Sequence, residues 1–294
     1  MLNNKPVLAL ETAVLTHGLP FPDNVELSLA LEAVVKSTGT IPATIGIVKG
    51  KIKVGLDLDE IEFLGKEKDS VKLSAADLSY AMTKKLSGGT TVSATLFISY
   101  KSGIKVFSTG GIGGVHRGWE EGFIDVSQDL IMMSQYEVVI ISSGVKAILD
   151  IPKTIEYLET LGIPVVGYQT KYFPAFYSYD TPYKLNSYFM DIKSLVDYLD
   201  MQSILDQKKS ILILNPPPET SGIPYNDVQL YIKKAVKDAK SAGIKGRDLT
   251  PYLLKQVNYY SQGTTLQSNK SLLISNAILG SQISLALSNL KRPE

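Results

Sequence analysis

The sequence predicts an α/β fold: an α/β/α sandwich with a mostly parallel central sheet and a helical C-terminal subregion. Three observations carry this expectation. Short apolar runs rich in β-branched residues, Ile104–Phe107 and Val138–Ile141 foremost, have the length of buried strands. Helix-like segments alternate with such runs, the order that builds parallel sheets covered on both faces. After Pro216-Pro217-Pro218 the strand-like runs stop and three helical segments follow.

Taken in order, Pro6–Leu10 reads as the first strand, with Glu11 at its exit, and Thr16 to Pro22 reads as a loop rich in turn formers. Asn24 can cap a helix running to about Ser37. Thr44–Val48 and Ile52–Val54, joined by Lys49-Gly50-Lys51, have the pattern of a hairpin. Asp57–Leu64 reads as a short helix and Val71–Leu73 as a short strand. Ser74, with Asp77 three residues on, resembles a capping box that opens a helix over Ala75–Leu86, stopped by Ser87-Gly88-Gly89. Thr90–Tyr100 suits a buried helix, although its periodicity also allows a strand. Helix Ile155–Leu161 with strand Val165–Tyr168, then helix Ile192–Leu205 with strand Ile211–Asn215, repeat the alternation. The C-terminal helices are expected at about Asn226–Ala242, Thr250–Ser261 and Asn269–Leu290. With no internal repeat and no low-complexity tract, residues 1–294 read as one domain.

Composition narrows the function. Thirty basic and twenty-nine acidic residues leave a net charge of +1, and no basic block exceeds two adjacent lysines, so the electrostatic footprint of a nucleic-acid binder is missing. The absence of cysteine excludes disulfides and thiolate metal sites, leaving a hard metal on His, carboxylate or carbonyl ligands. The N-terminus shows no secretory signal, and Lys or Gly interrupts the apolar stretches before the ~18 residues that a spanning helix needs. The expectation is a soluble intracellular, cytoplasmic protein that acts on a small molecule, with no nucleic-acid or membrane partner.

Ligands of open parallel sheets bind beyond the carboxyl ends of strands, which places His116, Asp125, Asp129 and Lys146 near one rim. Lys146 follows Ser142-Ser143-Gly144 at the end of the most apolar strand. Desolvation there favours the neutral, nucleophilic amine, the alternative being a lysine that snorkels to the rim. Thr109 to His116 is glycine-rich after a strand but fits neither the dinucleotide nor the P-loop spacing. What survives is a backbone able to approach a ligand closely, or a tight structural turn. Ser127 can cap a helix whose free N–H groups receive a phosphate. Asp125 and Asp129 can hold Mg²⁺ or Mn²⁺, or can simply favour the helix dipole. His17 and His116, the only histidines, do not make a His-based metal site. The aromatic run Tyr168–Tyr179 reads as core, Trp119 as loop packing and Glu120-Glu121 as solvated charge.

Several of these stretches, in order, carry a resemblance: Ala9-Leu10-Glu11-Thr12 with His17-Gly18-Leu19-Pro20, Gly89-Thr90-Thr91-Val92, Thr109 to Gly118, Ser143 to Asp150, Gly167-Tyr168-Gln169-Thr170, Asn215-Pro216 and Ser268-Asn269. Together they resemble the pseudouridine-5′-phosphate glycosidase family, also called indigoidine synthase A-like proteins. The resemblance implies a homotrimer, a divalent metal, typically Mn²⁺, and reversible cleavage of pseudouridine 5′-phosphate to uracil and ribose 5-phosphate. By resemblance Lys146 matches the Schiff-base lysine and Glu11 the acid/base carboxylate. Asp125 matches the metal-binding aspartate; Lys72, Val92 and Ser127-Gln128-Asp129 match substrate-contacting positions; His116 and Asn269 match residues beside the base.

The chemistry explains the lysine. A ring carbon is a poorer leaving group than the nitrogen of an ordinary nucleoside, so the oxocarbenium route of most glycosidases is unattractive. An imine supplies the electron sink, provided an acid delivers a proton to uracil C5. The alternatives are a Schiff-base lyase or aldolase acting on another phosphosugar, and a non-catalytic phosphosugar-binding protein.

Overall fold

The computed structural model describes residues 5–117, 125–244 and 249–290; Trp119, Glu120 and Glu121 lie outside them. In chain order its strands are β1 (Val7–Leu10), β2 (Ile41–Val48), β3 (Lys51–Val54), β4 (Val71–Leu73), β5 (Gly88–Thr90), β6 (Val106–Ser108), β7 (Val139–Ser142), β8 (Val165–Tyr168), β9 (Tyr188–Phe189) and β10 (Ile211–Leu214). They form one ten-stranded sheet in the order β4-β5-β2-β1-β6-β7-β10-β8-β9, with β3 attached to β2. Only the β2–β3 and β2–β5 pairings are antiparallel. The mostly parallel sheet follows from the strand sequences: all four residues of β1 and all four of β10 are buried, as strands covered on both faces must be.

The helices are α1 (Ala13–His17), α2 (Asp23–Ser37), α3 (Leu58–Lys66), α4 (Leu78–Thr83), α5 (Val92–Lys101), α6 (Gln128–Gln135), α7 (Ile151–Thr160), α8 (Ile192–Ile204), α9 (Tyr225–Ser241), α10 (Leu249–Tyr260) and α11 (Thr264–Ser288). Local chemistry explains many of the boundaries. Asp57 and Glu60 make a full capping box at α3, and Asp150 caps α7 by accepting from the Lys153 N–H. Lys49 and Gly50 both have positive φ, 49° and 75°, the type I′ geometry that a two-residue hairpin turn favours.

Four expectations need correction. The segment read as a loop after Glu11 begins with the short helix α1. Asn24 is not a cap: α2 starts at Asp23, and the buried Asn24 amide donates to the carbonyls of Leu15 and Gly65, tying α1 to α3. The Ser74–Asp77 box is present, but it opens a 3₁₀ turn, Ala75–Asp77, and α4 ends at Thr83. Gly88 and Gly89 do more than stop a helix: with Thr90 they form β5, where any side chain would collide. A Cβ on Gly88 would lie 2.1 Å from the Val71 carbonyl oxygen, and one on Gly89 would lie 2.4 Å from that of Thr12.

Helix α11 also departs from expectation. From Ser271 to Leu290 no residue is charged, and by length and composition α11 is apolar enough to cross a membrane. Here it is a core helix. It packs across β1, β6 and β7, Gly280 lies close to Leu8, and Ser284 Oγ donates to the Val7 carbonyl at 3.0 Å.

The sheet reverses direction of growth at β1. From β1 the chain moves to β2 on one side and later returns to place β6 on the other. The crevice beyond the carboxyl ends of β1 and β6 is therefore the place where a ligand is expected.

Candidate active site

Glu11 leaves β1 and Thr109 leaves β6, and the Thr109 hydroxyl donates to Glu11 Oε1 across that crevice. Burial pushes the Glu11 carboxyl above the usual glutamate range. The charges of Lys146 and Lys72 and the Thr109 hydrogen bond oppose the rise, and Asp129 adds to it. The group is thus biased toward the acid form while two cations remain close by.

Lys146 is held by two segments that continue the β6–β7 pairing past the strand ends. Ile112 N–H donates to the Gly144 carbonyl at 3.0 Å and Lys146 N–H to the Ile112 carbonyl at 3.1 Å. The turn before Lys146 requires glycine: Gly144 has φ 89°, and its Cβ position is 2.0 Å from the Pro174 carbonyl oxygen. The glycine-rich segment is therefore a structural ribbon. The N–H groups of Thr109, Ile112, Gly113 and Val115 are all spent on partners within the protein.

A cleft of about 160 Å³ opens here, lined by Lys72, Ser74, Thr91, Ser93, Gly113, His116, Ser127, Gln128, Asp129, Lys146, Ile148 and Leu149. Asp129 is 5% exposed, and each of its oxygens takes a backbone N–H, from Ser93 at 2.9 Å and Gly113 at 2.8 Å. It fixes the cleft wall. Ser127 caps α6 by accepting from the Asp129 N–H at 3.2 Å. A Cβ on Gly113 would stand 2.2 Å from Ser127 Oγ and 2.8 Å from Asp129 Oδ2. Gly113→Ala is accordingly expected to cost about 1–3 kcal/mol of stability and to weaken substrate binding, measured by denaturant unfolding and by KM.

Lys72 is solvent-exposed at the edge of the cleft, yet the surrounding protein, and then Lys146, hold its amine below the usual lysine value against the pull of Glu11 and Asp129. The His116 imidazole is likewise held down, first by burial and then by Lys146 and Lys72. Asp125 opposes this, its Oδ2 lying 3.8 Å from His116 Nδ1. The Asp125 side chain is 66% exposed. Among the described residues no cluster of three His or carboxylate side chains is set to hold a metal. What the chain offers is one exposed carboxylate beside a cleft, which fits a hydrated divalent cation completed by substrate oxygens and water rather than an all-protein cage.

Two of the expected contacts, Val92 and Asn269, are not among the residues that line this cleft. The Val92 side chain is buried in the core, while its neighbours Thr91 and Ser93 line the cleft. Asn269 is half-buried on α11 and is not among the lining residues. A larger groove, about 490 Å³, runs between α11 and the ends of β8 and β10, lined by Tyr168, Gln169, Asn215, Ile274 and Ile278 among others. None of the expected site residues faces it. The chemistry gathers in the smaller cleft, where Ser74, Thr91 and Ser93 join the expected residues in the lining.

Comparison with known proteins matches the chain in sequence and in fold. The family model for indigoidine synthase A like proteins matches residues 1–286. A pseudouridine-5′-phosphate glycosidase of Alkaliphilus metalliredigens is 43% identical over 286 residues, covering 97% of this chain and 93% of its own. One of Staphylococcus aureus is 41% identical over 288 residues, covering 98% and 94%. Among solved structures, an indigoidine synthase A-like protein from Thermotoga maritima superposes with a TM-score of 0.89 at 35% identity, covering 98% of this chain and 94% of its own. The prealnumycin C-glycosynthase AlnA, solved in complex with ribulose 5-phosphate, superposes with a TM-score of 0.89 at 34% identity, covering 97% and 92%. With its whole length matched in sequence and in fold, the chain belongs to the indigoidine synthase A-like family.

Proposed function

We propose that the chain reversibly cleaves the C–C glycosidic bond of pseudouridine 5′-phosphate, giving uracil and ribose 5-phosphate, by way of an imine on Lys146. The observation that carries this reading is an amine, Lys146, on the wall of the cleft, close enough to act electrostatically on a carboxyl group at the end of β1, Glu11, that is biased toward its acid form. In this reading the Lys146 amine attacks C1′ and the sugar ring opens, the ring oxygen taking a proton. The nitrogen lone pair then forms the iminium as the bond from C1′ to uracil C5 breaks, and Glu11 delivers the proton to C5. Water hydrolyses the imine, releasing ribose 5-phosphate and restoring the amine. Asp129 acts through the wall it fixes, and Lys72 with the Val92 N–H at the start of α5 favours the phosphate.

Asp125 would hold the divalent cation, Mn²⁺ in this proposal. Such an ion supplies positive charge to phosphate and sugar oxygens. Asp125→Asn is expected to weaken Mn²⁺ binding by about tenfold or more, read by calorimetric titration of the metal alone, and EDTA is expected to raise KM with recovery on adding Mn²⁺. The test of the overall reading is chromatographic detection of uracil from pseudouridine 5′-phosphate. Absence of uracil with the folded, Mn²⁺-loaded chain would refute it.

The name and ligand of AlnA favour a second reading, in which the same amine and carboxyl group join a carbon nucleophile to a phosphosugar. It uses the proposed steps in reverse and is separated by the carbon acceptor: only the first reading requires uracil. The proposal places the enzyme in the cytoplasm as a homotrimer, a state that light scattering measures directly.

A further inference from the structure

Asn276 is wholly buried on α11, where its neighbours facing the sheet are leucines and small residues. Its side chain is engaged with three strand ends at once. Nδ2 donates to the Thr109 carbonyl at 2.8 Å and to Ser143 Oγ at 3.1 Å. Oδ1 accepts from Asn215 Nδ2 at 2.9 Å, with Ser143 Oγ at 3.4 Å. Thr109 follows β6, Ser143 follows β7 and Asn215 follows β10. Two of these positions bear directly on the chemistry. The Thr109 hydroxyl donates to Glu11, and Ser143 begins the turn that carries Lys146.

We infer that Asn276 is the positioning residue for the proposed reaction, clamping the ends of β6 and β7 so that the Glu11 proton and the Lys146 amine face one substrate atom pair. The inference rests on the reading of Lys146 and Glu11 given above. Packing alone would be served by leucine, which α11 uses at 272, 273 and 279. A buried amide with every bonding position spent on strand ends, none on its own helix, defines a single arrangement of those ends. Proximity catalysis is sensitive to such an arrangement, since a displacement of about 1 Å costs roughly 10²-fold in rate.

The test is a double-mutant cycle on the full-length protein. Asn276→Leu removes the clamp at similar volume. Asn276→Asp keeps the size and the acceptor but loses the donor to Thr109, and serves if the leucine variant does not fold. Each is expected to lower kcat for uracil release by about 10- to 100-fold while KM stays within about threefold, as expected when an interaction made in the transition state is lost. Thr109→Val is expected to cost about tenfold alone but under about threefold on top of either Asn276 change, because both act on Glu11 through the same link. Additive costs, a change confined to KM, or an unchanged kcat in the folded variants would overturn the inference while leaving the glycosidase reading in place. A native chain that releases no uracil overturns that reading, and the inference falls with it.

Discussion

Replacing Lys146 with alanine is expected to abolish uracil release, with kcat falling by at least about 10³-fold, the scale seen when a covalent nucleophile is removed. The fold should survive. Lys146 is half-buried and borders the cleft rather than the core, and its backbone contacts with Ile112 and Leu149 remain available to alanine. The loss has a side effect that separates charge from nucleophilicity. Lys146 is the largest influence holding the Glu11 carboxyl down, and it also depresses the Lys72 amine, so both groups should titrate higher in the alanine variant. Lys146→Arg keeps a cation but offers no attacking amine at neutral pH. An inactive arginine variant would show that the amine itself is needed; substantial activity in it would assign the residue an electrostatic role instead.

Glu11→Gln is expected to lower kcat by about 10²- to 10⁴-fold, the usual contribution of a positioned acid or base. It should also remove the alkaline limb of the cleavage profile that deprotonation of Glu11 produces. The same substitution is expected to stabilise the protein. Burial raises the folded-state pKa of Glu11 above its unfolded value, so its favourable contribution is present below the unfolded pKa, about 4.3, and is lost as pH rises through the folded value. The glutamine variant should therefore melt higher than the native chain at pH 8, and the gap should close toward pH 4. Glutamine can still accept from the Thr109 hydroxyl, so the hydrogen bond does not confound the comparison. Equal melting temperatures at pH 8 would show that Glu11 carries no buried-charge penalty.

Much of this site could be read from the sequence because its groups sit where strand ends put them. Glu11 follows a fully apolar strand; Lys146 follows another, and the topology brings both to one rim. Ser127 was recognisable as a cap, and Lys72, His116, Gln128 and Asp129 all border the expected cleft. What was not legible depended on contacts distant in sequence. Gly88 and Gly89 lack the side chains that mark strands, and only the approach of the Val71 and Thr12 carbonyls makes glycine the residue that fits β5. Asn24 looked like a cap because its type suits one, while its amide serves carbonyls on two other segments. The wall-fixing role of Asp129 depends on the N–H groups of Ser93 and Gly113, which only the fold brings to its oxygens. The polar residues of α11 hold the clearest missed signal: an asparagine in the uncharged stretch after Lys270 must find partners once buried.

The proposed reaction turns on a covalent bond between Lys146 and the sugar. The most direct measurement is borohydride reduction of the native chain in the presence of ribose 5-phosphate, followed by peptide mass spectrometry. The expected result is one reduced sugar-phosphate adduct per chain, on the peptide that contains Lys146 and absent from Lys146→Ala. An adduct confined to Lys72, or no adduct under conditions where uracil is released, would contradict the account.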